Sequence, residues 1–145
     1  MPEFIAHLAL AASAFLSATL LPGTSEATFV ATAAEWPDAA YSLFAVAALA
    51  NTAGSIVNWW IGRHVERFAE TRWFPVSKEK LARAQKIAGR YGMWTLLLAW
   101  VPVLGDPLTL AAGVMRVPFL PFALLVGTGK ALRYALLLWG LQALT

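Results

Sequence analysis

Four ionisable residues that could bind or react with a substrate lie inside apolar stretches of this sequence, where charge is unusual. They are Glu26, Asp106, Lys130 and Arg133. A charge at the centre of a membrane helix costs at least about 2.5–3.5 kcal/mol, so such residues usually face the protein interior and mark function. A buried carboxylate can carry a proton or anchor a cation. Lys130 and Arg133, one helical turn apart, share a helix face and could hold a phosphate together.

The competing interpretation of these charges is structural. An ion pair, for example between Asp106 and Arg133, would simply lock two helices together, and the spacing is compatible with both interpretations. Asn51 lies in another apolar stretch. It can form a hydrogen bond to a neighbouring helix, worth about 0.6 kcal/mol on average. Packing is the favoured interpretation for Asn51, with a part in substrate binding or proton coupling as the alternative.

Composition indicates the solvent in which these stretches must lie. The chain has 145 residues, of which 59% are hydrophobic and 13% are charged, and its mean hydropathy is +0.63. Ordinary soluble domains carry about 25% charged and about 45–50% apolar residues. A soluble chain of this size could not bury so much apolar surface. The sequence therefore predicts an integral membrane protein, and the absence of cysteine excludes disulfides and thiolate chemistry.

Helix breakers interrupt two of the apolar stretches, residues 4–34 and 91–115. The breakers are Pro22, Gly23, Pro102 and Pro107. Proline stops or kinks a helix, and the arms that remain are too short to span a bilayer at about 1.5 Å per residue. Each stretch is therefore interpreted as a re-entrant hairpin whose tip lies in protein or in a wet cavity. A kinked span is the alternative for residues 4–34.

The spacing also reveals an internal repeat. A proline stands four residues before both Glu26 and Asp106, and a polar residue follows each carboxylate after 25 or 24 residues. These followers are Asn51 and Lys130. They lie in the run 39–62, which has no charge, and the run 118–144, which carries Lys130 and Arg133 near its middle. Both runs exceed the about 20 residues that a spanning helix needs.

The predicted fold is an all-α integral membrane domain covering residues 1–145. Repeat one covers residues 4–62, a basic linker covers 63–90, and repeat two covers 91–144. Each repeat combines a re-entrant helical hairpin with one transmembrane helix. A hairpin returns to its starting side whereas a span crosses, so the two repeats must be inverted, as in many transporters that bind substrate near the midplane.

The linker is the basic part of the chain. Residues 63–90 contain eight Lys or Arg against three Glu, whereas the rest of the chain is net acidic. Such a segment typically lies in the cytoplasm beside anionic headgroups, and its apolar flanks argue against nucleic acid as a partner. Its second part, from Ser77 to Arg90, has amphipathic helical spacing. That pattern is typical of a helix on the membrane surface or of a solvated linker helix.

Other residues suggest interface roles. Arg63 and Arg116 border apolar runs, where contact with headgroups is expected, and Trp59 is expected to anchor at the interface or face lipid. His7 and His64 lack the spacing of a metal site, and no nucleophile, phosphate-loop or paired-His motif is present. We therefore expect no enzymatic activity, no metal and no cofactor.

Six segments resemble the DedA superfamily, the SNARE-associated or VTT-domain type of membrane protein, and particularly its small YqaA-like branch. They are LLPGTSE at 20–26, GSIVNWWIGR at 54–63, RYGMW at 90–94, VPVLGD at 101–106, AGVMR at 112–116 and GKALRY at 129–134. The resemblance implies a bacterial inner-membrane protein with several membrane passes and two opposed re-entrant hairpins. It also places Glu26 at the acidic position after the first Pro-Gly. Unlike the wider family, this chain has Ser55 in place of an Asp.

What the resemblance implies for function is translocation of lipid. We expect flipping or scrambling of an anionic phospholipid, a polyprenyl phosphate or a similar phosphate-bearing substrate, with proton coupling through Glu26 and Asp106 beside Lys130 and Arg133. The alternative is a membrane scaffold or assembly factor that transports nothing. Membrane lipids are the expected partners. A homodimer is compatible with the size of the chain, because 145 residues enclose only a small cavity.

Overall fold

The structure is a computed structural model that describes residues 2–19, 24–64, 78–100 and 105–144. Throughout these ranges the secondary structure is helical, which confirms the predicted all-α class. The helices are α1 (Glu3–Thr19), α2 (Thr24–Glu35), a 3-10 turn (Pro37–Ala39), α3 (Ala40–Arg63), α4 (Lys78–Tyr91), a 3-10 segment (Gly92–Trp100), α5 (Gly105–Val114) and α6 (Phe119–Leu144).

Two helical stretches are long and apolar enough to cross a membrane, Pro37–Arg63 with 27 residues and Phe119–Leu144 with 26. At about 1.5 Å per residue they extend about 40 Å, which exceeds the about 30 Å of a bilayer core. They coincide with the predicted runs 39–62 and 118–144. By contrast α1, with 17 residues, and α2, with 12, are shorter than the core is thick. Their re-entrant path stays a prediction.

The chain divides into two compact units. Unit 1 consists of Met1–Gly54 and Lys130–Thr145, and unit 2 consists of Ser55–Gly129. Each unit therefore takes one part of α3 and one part of α6. The assignment of the chain to two repeats and a linker stays a prediction, since the units group the helices by contact rather than by repeat.

Unit 1 has a core of large side chains separated by small ones. Its large buried members are Leu10, Phe29, Leu43, Tyr134 and Leu138, and four alanines lie among them. Small residues let helix backbones approach closely, and close approach drives helix association where lipid offers no hydrophobic gain. At one end of the unit, His7 Nε2 lies 2.8 Å from Ser42 Oγ and joins α1 to the start of α3.

In unit 2 the amphipathic helix α4 lies against α5. Leu81 and Ala84, on the apolar face predicted for α4, are buried in a cluster with Leu108, Leu110 and Ala111 of α5. Leu81 and Ala84 therefore pack on protein, a contact that we did not predict, and the position of α4 on the membrane surface or in solvent stays a prediction. Four basic side chains of α4 are exposed. They are Lys80, Arg83, Lys86 and Arg90.

Two glycines allow α3 and α5 to cross closely within unit 2. A Cβ atom on Gly113 would collide with the carbonyl oxygen of Trp59, and one on Gly62 would collide with that of Leu110. The Cβ on Gly113 would also lie only 2.9 Å from the Cα of Gly62. Near this crossing Asn58 Nδ2 donates a hydrogen bond to Thr109 Oγ1 at 3.3 Å. Backbone contact and the hydrogen bond of Asn58 to Thr109 therefore both join α3 to α5 at the crossing.

Helix α4 ends where Gly92 adopts a φ of +76°. This left-handed conformation is easy for glycine, which has no Cβ, and is a common way to end a helix. The chain continues as a 3-10 helix of nine residues, Gly92–Trp100, and Thr95 Oγ1 donates to Gly92 O at 2.9 Å. Runs of 3-10 helix longer than about 3–4 residues are uncommon. The sequence contains no signal that we used to predict this one.

Candidate functional site

Two of the predicted intramembrane charges meet in unit 1. Glu26 lies in the first turn of α2 and Arg133 near the middle of α6, and their side chains form an ion pair. The side chains are 21% and 18% exposed. A carboxylate in the first turn is also favoured by the positive end of the helix dipole. The pair is therefore well placed to hold α2 on α6 while remaining accessible from outside the core.

A second contact joins the neighbouring residues of the same two helices. Tyr134 Oη donates a hydrogen bond to Ser25 Oγ at 2.7 Å, and both side chains are fully buried. Ser25 Oγ in turn donates to Glu26 Oε1 at 3.5 Å. The ring of Tyr134 packs edge-on against Phe29, with centroids 5.5 Å apart. We did not predict this hydroxyl pair, although each hydroxyl directly adjoins a residue that we singled out.

Lys130 brings a further cation to this part of α6. It lies one turn before Arg133, and it is only 2% exposed. Residues three apart on a helix are neighbours on its surface, as predicted for this pair. The helix therefore carries Lys130, Arg133 and Tyr134 toward the interior of unit 1.

Asn51 connects α3 to α1 inside unit 1. Its Nδ2 donates to Ala14 O at 2.6 Å and to Ser17 Oγ at 3.1 Å, and the residue is 1% exposed. These bonds fit the packing interpretation that we favoured. Its Oδ1 has no hydrogen-bond partner among the described residues. A buried acceptor without a partner costs about 1–3 kcal/mol. The side-chain oxygen of Asn51 can therefore still accept a hydrogen bond from a donor that enters this part of unit 1.

Part of the predicted second hairpin lies outside the described residues. Asp106 and Pro107 lie in the first turn of α5, and Pro107 is buried there. Proline is tolerated in a first turn, where its missing N–H has no partner to lose. The side chain of Asp106 lies outside the described residues, and so do Pro22, Gly23 and Pro102. The predicted approach of Asp106 to Glu26 therefore stays a prediction.

Arg63 and Trp59 form one assembly at the end of α3. The guanidinium of Arg63 lies 4.9 Å from the centroid of the Trp59 ring, a cation–π distance. Trp59 Nε1 also donates to Val117 O at 2.8 Å, and its ring stacks on Phe122. Trp59 is thus a packing residue of unit 2, which corrects its assignment as an interface anchor. Arg63 has a contact within the protein in addition to any contact with headgroups.

Arg116 closes helix α5 in a Schellman motif. The N–H of Val117 bonds to Ala112 O at 2.9 Å, and the N–H of Arg116 bonds to Gly113 O at 3.0 Å. This pair of backbone hydrogen bonds is a common way for a helix to end. Arg116 occupies the position that usually holds glycine, with a φ of +60°. Its side chain is exposed, in keeping with the interface role that we expected.

Relief of this backbone strain gives a prediction. Arg116→Gly should raise the free energy of unfolding in detergent by about 1 kcal/mol, because an L side chain in the left-handed region costs about that much. Arg116→Ala removes the charge but keeps the Cβ, so it should not stabilise the protein. Chemical denaturation followed by circular dichroism measures both. A glycine variant less stable than the alanine variant would contradict the assignment of strain.

Metal chemistry receives no support from the described residues, where no three His, Asp or Glu side chains come together. What the described site offers is charge. It combines one carboxylate, a guanidinium and a buried ammonium with two hydroxyls. These groups can bind an anion, exchange ion-pair partners and hold a proton.

The VTT domain model matches residues 21–141 of this chain. The chain belongs to the VTT domain family. It is 41% identical to the inner membrane protein YqaA of Escherichia coli (strain K12) over 134 residues, which cover 92% of this chain and 89% of that protein. The YqaA protein of Shigella flexneri matches with the same figures. An uncharacterised protein of Haemophilus influenzae is 37% identical over 134 residues, which cover 88% of this chain and 82% of that protein.

These similarities confirm the predicted membership of the DedA superfamily and of its YqaA-like branch. No solved structure matches this chain. Two of these relatives are named inner membrane proteins. This chain likewise has two helices long and apolar enough to cross a bilayer. This VTT domain protein is accordingly an inner-membrane protein, as predicted.

Proposed function

We propose that this VTT domain protein translocates an anionic phospholipid, or a similar phosphate-bearing lipid, across the bacterial inner membrane. The observation that supports it best is the partly exposed ion pair of Glu26 and Arg133, with Lys130 buried one turn away. A phosphate accepts bidentate hydrogen bonds from a guanidinium as a carboxylate does. A headgroup can therefore take the place of Glu26 on Arg133.

Proton coupling is the second part of the proposal. A protonated Glu26 no longer attracts Arg133 as an ion, so proton uptake frees the guanidinium for a headgroup. Loss of the proton restores the ion pair and expels the lipid. The cycle involves exchange of partners and no covalent step, in keeping with the expectation that this protein is not an enzyme.

The path of the chain completes the proposal. The short helices α1 and α2 form a re-entrant hairpin whose tip carries Glu26, and a second hairpin carries Asp106 in an inverted repeat. This arrangement is supported by the proline-to-carboxylate spacing and by helices too short to span. It lets polar groups line a cavity at membrane depth, where backbone that leaves the helix needs protein or water as its partner.

Reconstitution into liposomes tests the proposal. Purified protein is inserted into vesicles that contain a fluorescent phosphatidylglycerol, phosphatidylethanolamine or phosphatidylcholine, or a polyprenyl phosphate. Membrane-impermeant quencher then measures how much label reaches the outer leaflet. We expect transbilayer movement well above that of protein-free vesicles, fastest for the anionic lipids and dependent on pH. Equal rates with and without protein for all four lipids would reject translocation.

A scaffold or assembly factor is the second candidate, because the Glu26–Arg133 pair also satisfies what a structural lock requires. The two candidates differ in what the pair must do. A scaffold needs the pair closed at all times, whereas a translocator needs it to open. A scaffold would leave liposome rates at background while variants of the pair lose stability alone.

A further inference from the structure

We infer that the hydroxyl pair of Tyr134 and Ser25 is a neutral latch, which keeps α2 docked on α6 while the ion pair of Glu26 and Arg133 opens. Tyr134 is in this view a positioning residue for Glu26. The role in transport rests on the proposed function, whereas the latch itself is a property of the fold and can be measured without transport.

The first support is that the two contacts are adjacent. Ser25 and Glu26 are consecutive on α2, and Arg133 and Tyr134 are consecutive on α6, so one ionic and one neutral contact join the same two points. Without the hydroxyl pair, only the apolar packing of α2 on α6 within the described residues would hold the two helices together once the ion pair opened. Two contacts of different chemistry do not break under the same condition, since protonation or a competing anion affects only the charged one.

The second support is the difference in burial. Tyr134 and Ser25 are fully buried, whereas Arg133 and Glu26 remain 18% and 21% exposed. An arriving headgroup or proton therefore reaches the ion pair and not the hydroxyl pair. Breaking the hydroxyl bond would leave the buried hydroxyl of Tyr134 without this partner in an apolar core, which is costly. The latch thus stays closed when the ion pair exchanges partners.

The third support is the order of donors. Tyr134 donates to Ser25 at 2.7 Å, and Ser25 donates to Glu26 Oε1 at 3.5 Å. Contact with Phe29 fixes the tyrosine ring from the other side. When Arg133 turns to another anion, Glu26 keeps the hydroxyl of Ser25 as a partner and stays in position to take Arg133 back.

Few other charges bear on this carboxylate within the described part of unit 1. On α6 Arg133 pairs with Glu26, and Lys130 lies one turn before Arg133. The remaining described titratable groups of the unit lie toward the opposite end of α2, at the start of α1 and at the turn into α3. They are Glu3, His7, Glu35, Asp38 and Tyr41. The hydroxyl of Ser25 and the guanidinium of Arg133 are the groups shown in contact with Glu26.

Thermal unfolding of the full-length protein in nanodiscs tests the latch without any transport. Tyr134→Phe and Ser25→Ala each remove one half of the same bond, so the double variant should unfold at nearly the same temperature as the more affected single variant. Tyr134→Phe combined with Glu26→Gln should lose more than the sum of the two single losses. Tyr41→Phe, a change at an exposed tyrosine of the same unit, is the matched control. Additive losses in both combinations would overturn the latch.

The pH profile of lipid movement in liposomes tests the positioning role. Hydrogen bonds donated to a carboxylate affect how readily it takes up a proton, so the weaker donor chain of Tyr134→Phe should change the pH dependence of lipid movement. We expect the midpoint of the variant's pH profile to differ from that of the parent protein. A lower rate with an unchanged midpoint would reduce Tyr134 to a packing residue. If the parent protein moves no lipid, the proposed function fails and the thermal comparison still decides the latch.

Discussion

Gly113→Ala should leave this protein unable to form a stable monodisperse species in detergent. The added methyl group would meet the carbonyl oxygen of Trp59 and the backbone of Gly62, and neither can rotate away as a side chain could. Overpacking costs about 1–3 kcal/mol where side chains can shift, and the cost here should reach at least about 3 kcal/mol because the obstacle is backbone. Expression yield, gel filtration and unfolding temperature measure the effect.

Two other glycines provide matched controls for that substitution. A Cβ atom at Gly89 in α4, or at Gly140 in α6, would meet no atom within 4 Å. Gly89→Ala should even stabilise α4 by about 0.5–1 kcal/mol, because alanine loses less backbone entropy in a helix. An unfolding temperature of Gly113→Ala equal to that of Gly89→Ala would show that α3 and α5 do not cross as described.

Charge reversal at the ion pair is the second large effect. Arg133→Glu sets two carboxylates against each other where a carboxylate and a guanidinium now meet. Removing one partner from a buried pair costs about 3–5 kcal/mol. Since this pair is partly exposed, we expect about 3 kcal/mol of lost stability. We also expect lipid movement to fall to the rate of protein-free vesicles, since the cation that would bind the headgroup is gone.

Controls separate the charge from its position. Arg90→Glu makes the same reversal on the exposed face of α4 and should change lipid movement less than twofold. Arg133→Lys keeps the charge but loses the bidentate geometry, so it should fold and move lipid slowly. If Arg133→Glu folds and moves lipid at the parent rate, the ion pair has no part in translocation.

Much of the fold could be predicted because length and hydropathy decide it. A run of apolar residues longer than a bilayer core is helical and spans, so the runs 39–62 and 118–144 matched α3 and α6 closely. Helix α4 was recognised by its spacing. Its packing against α5 was not predicted. An apolar stripe on a helix indicates that this face is buried, but it does not identify the element that buries it.

The site shows the same limit. Burial of a charge predicts that a partner exists, and the sequence suggested Asp106 as one example for Arg133. The described partner is Glu26, since the packing of α2 on α6 is a long-range choice that spacing within one helix does not encode. The pair of Tyr134 and Ser25 escaped prediction for a related reason. Hydroxyl residues are common, and only a three-dimensional neighbour distinguishes them.

The 3-10 segment Gly92–Trp100 has a consequence for distance. A 3-10 helix rises about 2.0 Å per residue, so its nine residues advance about 18 Å, whereas nine residues of α-helix advance about 13.5 Å. Half the thickness of a bilayer core is about 15 Å. A 3-10 helix of this length that starts at the edge of the core and runs along the membrane normal passes the middle of the bilayer, whereas an α-helix of nine residues stops short of it. Rewinding the 3-10 segment to an α-helix would withdraw its far end by about 4–5 Å.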